Sequence, residues 1–414
     1  MSTETIESRE KPERGCSKTR LALLWMNLSS EPLTALYTLL PFILRKDLHA
    51  TLFQISLFVM LKPVLSVFSF YWSAYISNRR EKLRSNLIGA WVLARLPFLL
   101  LPLIDNVWFL LLAASCYQLF SRASNPALIE ILKLNIPKAP REKAFSFYYV
   151  LSFIESVALG LAIGDVLDGS VGYWRVLFLL ASVVGLSSIL FQMRIPIPKN
   201  ESEIAGSPPL KRSLIAPWKE CFALLKARPD FAHFQWGFMI GGFGLMLIAP
   251  SLSIFYSDVL ALTHGDIAIA RFVLMGIGVA LSSFLWRRGI EKIQIPKLTS
   301  WILIGFALFP LALLFAPYSK LFVYLAFFIY GIAQAGSHLL WNLSGTLFSK
   351  EGDSLPFSTT NILMVGIRGA VGPLLGGILC DLFGPSAMLS CGVLIALYGS
   401  LRMIRTKKPS PELS

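Results

Sequence analysis

The sequence predicts an all-α membrane protein whose twelve transmembrane helices form two pseudo-symmetric bundles of six. Three observations support this fold class: a composition too apolar for one soluble core, twelve apolar runs of membrane-spanning length, and a glycine pattern that occurs once in each half. The 414 residues are 55% hydrophobic and only 15% charged, and the mean hydropathy is +0.63. A chain of this composition cannot bury all its apolar surface in one soluble core, so it needs lipid as a solvent.

Each apolar run is long enough to cross a bilayer, because a helix rises about 1.5 Å per residue and about 20 residues span the hydrocarbon core. The loops between most runs are short, so successive helices are expected to be antiparallel neighbours. The predicted spans are 21–44, 51–77, 86–104, 107–132, 144–167, 174–193, 231–257, 266–286, 298–316, 320–348, 357–380 and 385–404.

The distribution of basic residues predicts the orientation in the membrane. Lys and Arg account for a net charge of +14, and they concentrate before the first span, after the even-numbered spans and at the end of the chain. The other loops carry few basic residues beyond Arg45, Lys46, Arg175, Arg271 and Lys320. By the positive-inside rule both termini are cytoplasmic. The basic charge therefore reflects orientation, and we expect no nucleic-acid partner.

A polar interval divides the two sets of six spans. It is rich in proline, and between Leu214 and Leu225 its apolar residues follow a helical period among charged ones, which predicts a helix in the cytoplasmic membrane interface. The predicted segments are a cytoplasmic N-terminal tail at 1–20, a six-helix bundle at 21–193, a cytoplasmic linker at 194–230, a second six-helix bundle at 231–405, and a cytoplasmic C-terminal tail at 406–414.

The chain lacks the motifs of several other protein classes. The four histidines form no metal-binding pair, the five cysteines form no Cys-x-x-Cys, and neither a nucleophile elbow nor a phosphate-binding loop is present. We therefore expect no enzyme activity, cofactor, metal or disulfide. The polar N-terminus shows no cleavable signal. Together with the short loops, this favours a multi-pass protein of a bacterial inner membrane, expected to be a monomer.

Two spans share a pattern of small residues at equivalent places in the two halves. Small residues let membrane helices approach closely, and their repetition indicates a duplicated bundle. The residues of the pattern are Gly160, Gly164 and Gly169 in the fifth span, and Gly372, Pro373, Gly376 and Gly377 in the eleventh.

Together these features resemble the major facilitator superfamily of secondary transporters. The fifth helix of that family often carries Gly-x3-Gly-Pro-x2-Gly-Gly; here Asp165 and Asp168 replace the proline and one glycine. The eleventh helix keeps its later glycines but has Arg368 at the first position. The resemblance implies two six-helix halves that rock about a central site, with the glycines packing helices together.

The family's gating loop after the second helix is eroded in this chain. The family pattern is Gly-x3-Asp-Arg-x-Gly-Arg-Arg, whereas this chain retains basic residues such as Arg79 and Lys82 and lacks both glycines and the aspartate. The resemblance implies a gating role for Arg79 and Lys82. It does not imply that the family's usual gating contacts are kept.

Ionisable residues inside the spans are candidates for a substrate or ion pathway. A charge near the bilayer centre costs roughly 2.5–3.5 kcal/mol on insertion scales. Five such residues fall near mid-depth, and others lie nearer the cytoplasmic side or on a polar stripe of the tenth span. The candidates are Glu31, Lys62, Arg95, Arg122, Glu155, Gln334, His338, Asn342 and Arg368.

Two arrangements of these charges fit the sequence. In one, Glu31 and Glu155 pair with Lys62 and Arg95 in a static network that no substrate touches. In the other, the excess of positive charge, to which Arg368 contributes, lines a cavity that favours an anion. A glutamate without such a pair would take up a proton during the cycle.

The favoured function is secondary active transport of a small polar organic solute by alternating access. An anion is the preferred substrate, and protons are the expected coupling ion, by symport or antiport. An exporter of amphipathic drugs is one alternative, which the mid-membrane charges disfavour because such substrates prefer apolar cavities. A non-transporting sensor or accessory protein is another, which the eroded gating loop keeps open.

Overall fold

The computed structural model describes residues 3–77, 82–170, 172–197, 210–349 and 354–405, and nearly all of them are helical. Within these ranges there is no β-strand, and nine helical segments are long and apolar enough to cross a membrane. The other three predicted spans, 21–44, 51–77 and 107–132, are helical as well. The structure thus confirms the all-α membrane fold and is consistent with twelve spans.

In the first half of the chain, helices occupy all six predicted spans. They are α1 (Thr3–Lys46), α2 (Leu52–Ser77), α3 (Leu83–Arg95), α4 (Val107–Asn135), α5 (Lys138–Gly169), α6 (Tyr173–Ser187) and the short α7 (Ile189–Gln192). A 3-10 turn at Leu96–Leu100, whose second residue is Pro97, extends α3. Gly172 precedes α6 with φ of 89°, a left-handed conformation that glycine adopts without strain.

In the second half, helices again occupy all the predicted spans. They are α8 (Leu210–Ala227), α9 (Pro229–Ile254), α10 (His264–Ala268), α11 (Met275–Lys292), α12 (Ile295–Leu314), α13 (Leu321–Ser349), α14 (Leu355–Phe383) and α15 (Pro385–Arg405). Turns of π-helix extend α9 at Phe255–Val259 and join α10 to α11 at Ile269–Leu274. A capping box, in which Thr263 and Asp266 satisfy each other's backbone amides, begins α10.

The chain divides into two compact units. The first unit comprises Met1–Leu40 and Phe68–Pro208, and the second comprises Pro41–Val67 and Pro209–Ser414. The C-terminal end of α1 and the first part of α2 therefore pack with the second half of the chain. The predicted bundle limits, 21–193 and 231–405, remain a proposal.

The first unit has its core between α1, α3 and α4. Met26, Leu87 and Ile131 are fully or almost fully buried there. The side chain of Trp91 on α3 donates a hydrogen bond from Nε1 to the carbonyl of Gly185 on α6, over 2.8 Å. This bond satisfies the indole while its ring stays in the core.

The second unit has an aromatic core at one end of α9. The rings of Phe231, Phe234, Phe238 and Phe348 lie in a chain, with centroids 4.9 to 5.2 Å apart between successive contacts. Beyond this core, α14 approaches α9 so closely that Gly376 contacts the backbone of Leu247. A Cβ atom at position 376 would overlap with the carbonyl oxygen of Leu247.

The linker contains a helix where the sequence predicts one, although 198–209 lie outside the described residues. Cys221 on α8 is buried, and Leu224 and Leu225 pack against the core of the second unit. Ile215 and Phe222 are exposed on the same short helix. Its position in the membrane interface remains a proposal.

The close approach of α14 to α9 predicts that Gly376 tolerates no side chain. We expect Gly376→Ala to lower the free energy of unfolding by about 1–3 kcal/mol, because the added methyl group overpacks a backbone contact. The measurement is thermal unfolding of the purified protein in detergent. Gly89→Ala on α3 is the matched control, because its Cβ would meet no atom within 4 Å. We expect this control to be neutral or slightly stabilising; equal destabilisation by both variants would contradict the prediction.

Candidate functional site

Two carboxylates lie close together inside the first unit. Glu31 on α1 is only 9% exposed, and its Oε1 accepts a hydrogen bond from the hydroxyl of Ser156 on α5. Glu155, the neighbour of Ser156, is near enough to Glu31 for their charges to interact. One oxygen of Glu155, Oε2, is buried and has no hydrogen-bond partner. The helices α1 and α5 thus hold two acidic groups within electrostatic reach of each other.

Arg95 in the same unit interacts with its own helix rather than with these carboxylates. Its guanidinium lies 3.5 Å from the ring centroid of Trp91 and donates to the Trp91 carbonyl over 3.3 Å. Gly185 leaves the space for it, since a Cβ there would overlap with the Arg95 side chain. Among the described residues, no ion pair joins Arg95 to Glu31 or Glu155. The structure therefore lacks the Arg95 contacts of the static network.

Tyr117 on α4 is a polar centre in the first unit. Its hydroxyl lies 3.2 Å from the hydroxyl of Thr34, and its ring centroid lies 5.0 Å from that of Tyr37. Arg95 and the half-buried Arg122 both lie within electrostatic reach of Tyr117. Neither Thr34 nor Tyr117 is among the candidates predicted from the sequence, although Thr34 follows Glu31 at helical spacing on α1.

Arg368 on α14 lies against α9 and α13 in the second unit. Its Nη1 donates to the backbone carbonyl of Phe238, and its guanidinium is 5.6 Å from the ring centroid of Trp341. Gly242 makes room for the guanidinium, because a Cβ at that position would overlap with it. The Nε atom of Arg368 is buried and has no hydrogen-bond partner. One donor of Arg368 thus lacks an acceptor.

Two more basic side chains of the second unit come near this region. Lys62 on α2 is exposed and lies within electrostatic reach of His338, which is exposed on α13. The next residue, Pro63, packs against Gly369, so that a Cβ on this glycine would overlap with the proline ring. Contact between Pro63 and Gly369 brings the Lys62 segment to the residue next to Arg368.

The two remaining polar candidates on α13 lie in different environments. Gln334 donates to the hydroxyl of Tyr330 one turn earlier, and Asn342 is exposed. A buried chain of amides lies nearby: Gln235 donates to Asn361, and Asn361 donates to the hydroxyl of Ser344 over 2.6 Å. These bonds tie α9, α13 and α14 together.

Acidic residues of the second unit stay away from the interior of its spanning helices. Those in the described part of the unit lie at helix ends, in loops or on α8, and they are Asp47, Glu220, Asp230, Asp258, Asp266, Glu291 and Asp381. Four of them form ion pairs there, with His264, Arg228, Arg45 and Lys320. No carboxylate from the interior of a spanning helix in this described part therefore offsets the charge of Arg368.

A cluster of ion pairs fastens the end of α1 to the α9–α10 connection. Arg45 forms a bidentate pair with Asp258, with Nε 2.9 Å from Oδ2. Asp47 lies 2.9 Å from His264, and both side chains are nearly buried, at 11% and 4% exposed. Lys46 donates to the carbonyl of Leu262 over 2.6 Å. We call Arg45, Lys46, Asp47, Asp258 and His264 the end cluster.

The sequence contained a signal for the end cluster. Arg45 and Lys46 are basic residues in a loop where the orientation rule expects few. Their partners, the carboxylate of Asp258 and the carbonyl of Leu262, lie 213 and 216 positions later in the chain. The pairing was therefore not visible in the sequence.

The residues predicted to pack helices together or to act in gating lie in different environments. A Cβ on Gly372 would lie 3.0 Å from Cβ of Met246, and one on Gly377 would overlap with the hydroxyl of Ser56. Pro373 lies inside α14 between them. On α5, Gly160 and Gly164 are buried, whereas Asp165 and Asp168 are exposed. Lys82 is exposed at the start of α3, and Arg79 lies outside the described residues.

The end cluster predicts that Asp258 holds the C-terminal end of α1. We expect Asp258→Asn to raise the hydrogen-exchange rate of the Asp47, Leu48 and Ala50 amides about fivefold, because partly exposed ion pairs contribute about 1 kcal/mol. Mass spectrometry of exchanged peptides measures this. Asp381→Asn, which removes an exposed charge outside the cluster, is the control. Equal exchange in both variants would contradict the prediction.

Comparisons with known proteins assign the family. The model of the Major Facilitator Superfamily matches residues 24–354. Among solved structures, a variant of the nucleoside transporter NupG gives a TM-score of 0.70 at 13% identity, covering 93% of this chain and 98% of that one.

Two further solved structures share the fold. A POT family transporter in complex with 5-aminolevulinic acid gives a TM-score of 0.69 at 14% identity, covering 94% of this chain and 95% of that one. The xylose transporter XylE from E. coli gives a TM-score of 0.63 at 14% identity, covering 96% of this chain and 97% of that one. No curated protein sequence is significantly similar. The chain belongs to the Major Facilitator Superfamily, and it is a membrane transporter rather than an enzyme.

Proposed function

We propose that this transporter carries a small polar organic anion across the membrane, driven by protons, through alternating access. The observation that carries the proposal is Arg368: a guanidinium inside a spanning helix, with a buried donor that has no hydrogen-bond partner. A buried donor without an acceptor costs about 1–3 kcal/mol, and a carboxylate or phosphate oxygen of a substrate would satisfy it.

The surroundings of Arg368 support an anion over a cation or a neutral solute. Lys62 and His338 lie in the same unit, and the described acidic residues of that unit lie outside the interior of its spans. No carboxylate inside the described part of these spans therefore offsets the charge of Arg368. Phe238 and Trp341 add apolar surface beside the guanidinium. This combination suits an organic acid with a short apolar part.

The carboxylates of the first unit support proton coupling. Glu31 and Glu155 are close, and two adjacent negative charges in a poorly solvated site repel one another. Sharing one proton would remove this repulsion. A proton and a monovalent anion that move together transfer no net charge. Proton symport is therefore the form of coupling that we propose.

We further propose that the end cluster is a gate on the outer side of the membrane. The basic loops of the sequence support cytoplasmic termini, which puts the C-terminal end of α1 on the opposite side. The cluster bonds α1 to the second half of the chain through partners on different helices. Alternating access requires such contacts to break and re-form, and ion pairs can do so without exposing a large apolar surface. A bacterial inner membrane is the proposed location.

Replacement of Arg368 tests the anion proposal. We expect Arg368→Ala to reduce accumulation of anionic substrates about 10- to 100-fold, because hydrogen bonds to a charged group contribute about 1.5–3 kcal/mol. The measurement is uptake of labelled anionic, neutral and cationic metabolites into proteoliposomes with an imposed pH gradient.

Arg288→Ala, at an exposed position of α11, is the matched control for the Arg368 experiment. It removes the same charge away from the proposed site and is expected to retain uptake. The anion proposal fails if Arg368→Ala accumulates anionic compounds as well as the native protein does, or if the native protein accumulates only neutral or cationic compounds.

Replacement of the two glutamates tests proton coupling. We expect Glu31→Gln and Glu155→Gln each to abolish uphill accumulation while retaining substrate exchange, because an amide fills the same space but cannot carry a proton. Both activities are measured in the same proteoliposomes, with and without a pH gradient. Asp165→Asn, at an exposed position of α5, is expected to keep both. Uphill transport by both glutamine variants would exclude the pair from coupling.

A further inference from the structure

A groove of about 710 Å³ lies between α1 and α5 in the first unit, away from the carboxylate pair. Its volume falls within the range of pockets that hold small molecules, roughly 300–1,000 Å³. Residues of one face of each helix line it, among them Ser17, Arg20, Leu21, Leu24, Phe147 and Tyr148. The proposed transport cycle does not involve this groove, and the resemblance to the family implies no role for it.

The floor of the groove is fixed by hydrogen bonds between the two helices. The hydroxyl of Tyr148 donates to the carbonyl of Arg20 over 3.1 Å, and Tyr148 itself is buried. One turn deeper, the amide of Asn27 donates to the Tyr148 carbonyl over 3.1 Å and to the Ser152 hydroxyl over 2.8 Å. These bonds hold α1 and α5 at a constant separation, so the groove is a stable feature of the unit.

The lining changes from polar to apolar along the groove. Ser17 and Arg20 are exposed at one end, while Leu21 and Phe147 are 50% and 59% exposed further along. The apolar spans begin at 21 in α1 and at 144 in α5, so both helices enter the apolar layer inside the groove. The groove therefore crosses the level at which lipid headgroups meet acyl chains.

The charge at the polar end is positive. Lys18 and Arg20 are exposed on α1, and no acidic residue lies between Lys18 and Glu31 on that helix. A guanidinium presents paired donors that match the oxygens of a phosphate diester. Basic residues at the membrane surface also attract anionic lipids, by about 1 kcal/mol each.

We propose that this groove binds an anionic phospholipid, with the phosphate on Arg20 and an acyl chain along Leu21, Leu24 and Phe147. A lipid fits the groove because the polar end lies where a headgroup would lie in the membrane, and the apolar part lies where the acyl chain would lie. The lipid bridges α1 and α5. Glu31 and Ser156 lie on these same two helices, so the lipid contacts the pair of helices that carries the carboxylates.

The test uses the full-length protein with its cysteines replaced by alanine and with Leu21→Cys labelled with a bimane fluorophore. The protein is placed in phosphatidylcholine bilayers that contain brominated phosphatidylglycerol or, in parallel, brominated phosphatidylcholine at the same mole fraction. Bromine quenches the fluorophore only on contact. We expect stronger quenching by phosphatidylglycerol than by phosphatidylcholine.

Three substitutions assign the preference to Arg20. Arg20→Gln is expected to lower the apparent affinity for phosphatidylglycerol about fivefold. Arg20→Lys retains most of it, and Lys292→Gln, which removes an exposed charge on α11, leaves it unchanged. Equal quenching by the two lipids, an unchanged preference in Arg20→Gln, or the same loss in Lys292→Gln would overturn the proposal. Absence of quenching by either lipid would overturn it too, because something else would then fill the groove.

Discussion

The rest of the structure depends on one constraint: a polar or charged group inside a spanning helix must find its partner within the protein. A charge at the centre of a helix in the bilayer costs roughly 2.5–3.5 kcal/mol. Three groups meet this constraint in three ways. Arg95 lies on the ring of Trp91 and bonds to its carbonyl, Arg368 bonds to the Phe238 carbonyl, and Glu31 accepts from Ser156. Buried atoms of Arg95, Glu155 and Arg368 have no hydrogen-bond partner, and we assign function to Glu155 and Arg368.

Helix packing decides which groups are satisfied. The approach of α14 to α9 requires glycines at the contacts with Leu247 and Met246, and the same approach puts Arg368 against the backbone of α9. Gly242 leaves the space that the guanidinium fills. A bulkier residue at either place would move the guanidinium away from Phe238. Small residues thus determine the chemistry of the site although they contribute no chemistry of their own.

The α1 helix connects several of the features described. It carries Arg20 in the groove, Glu31 in the carboxylate pair, and Arg45 and Lys46 in the end cluster. Glu31 and the basic residues of the end cluster thus lie on one continuous helix.

The sequence by itself predicted the fold class, the positions of the spans and the close packing in α14, because each follows from local composition or short-range spacing. Apolar length sets the spans, and glycine spacing sets the contact face. It also identified Glu31, Arg95, Glu155 and Arg368 as charges that need an explanation. It did not predict their partners.

Only the tertiary structure decided those partners. Glu31 meets Ser156 at a separation of 125 residues, and Asp47 meets His264 at 217. The contact of Arg95 is with Trp91, one turn away, although a charge count alone favours a glutamate. Composition and the helical periodicity of apolar residues indicate which residues must be buried. Which donor reaches which acceptor depends on the rotation and separation of packed helices, and these are set by the packing of the whole unit.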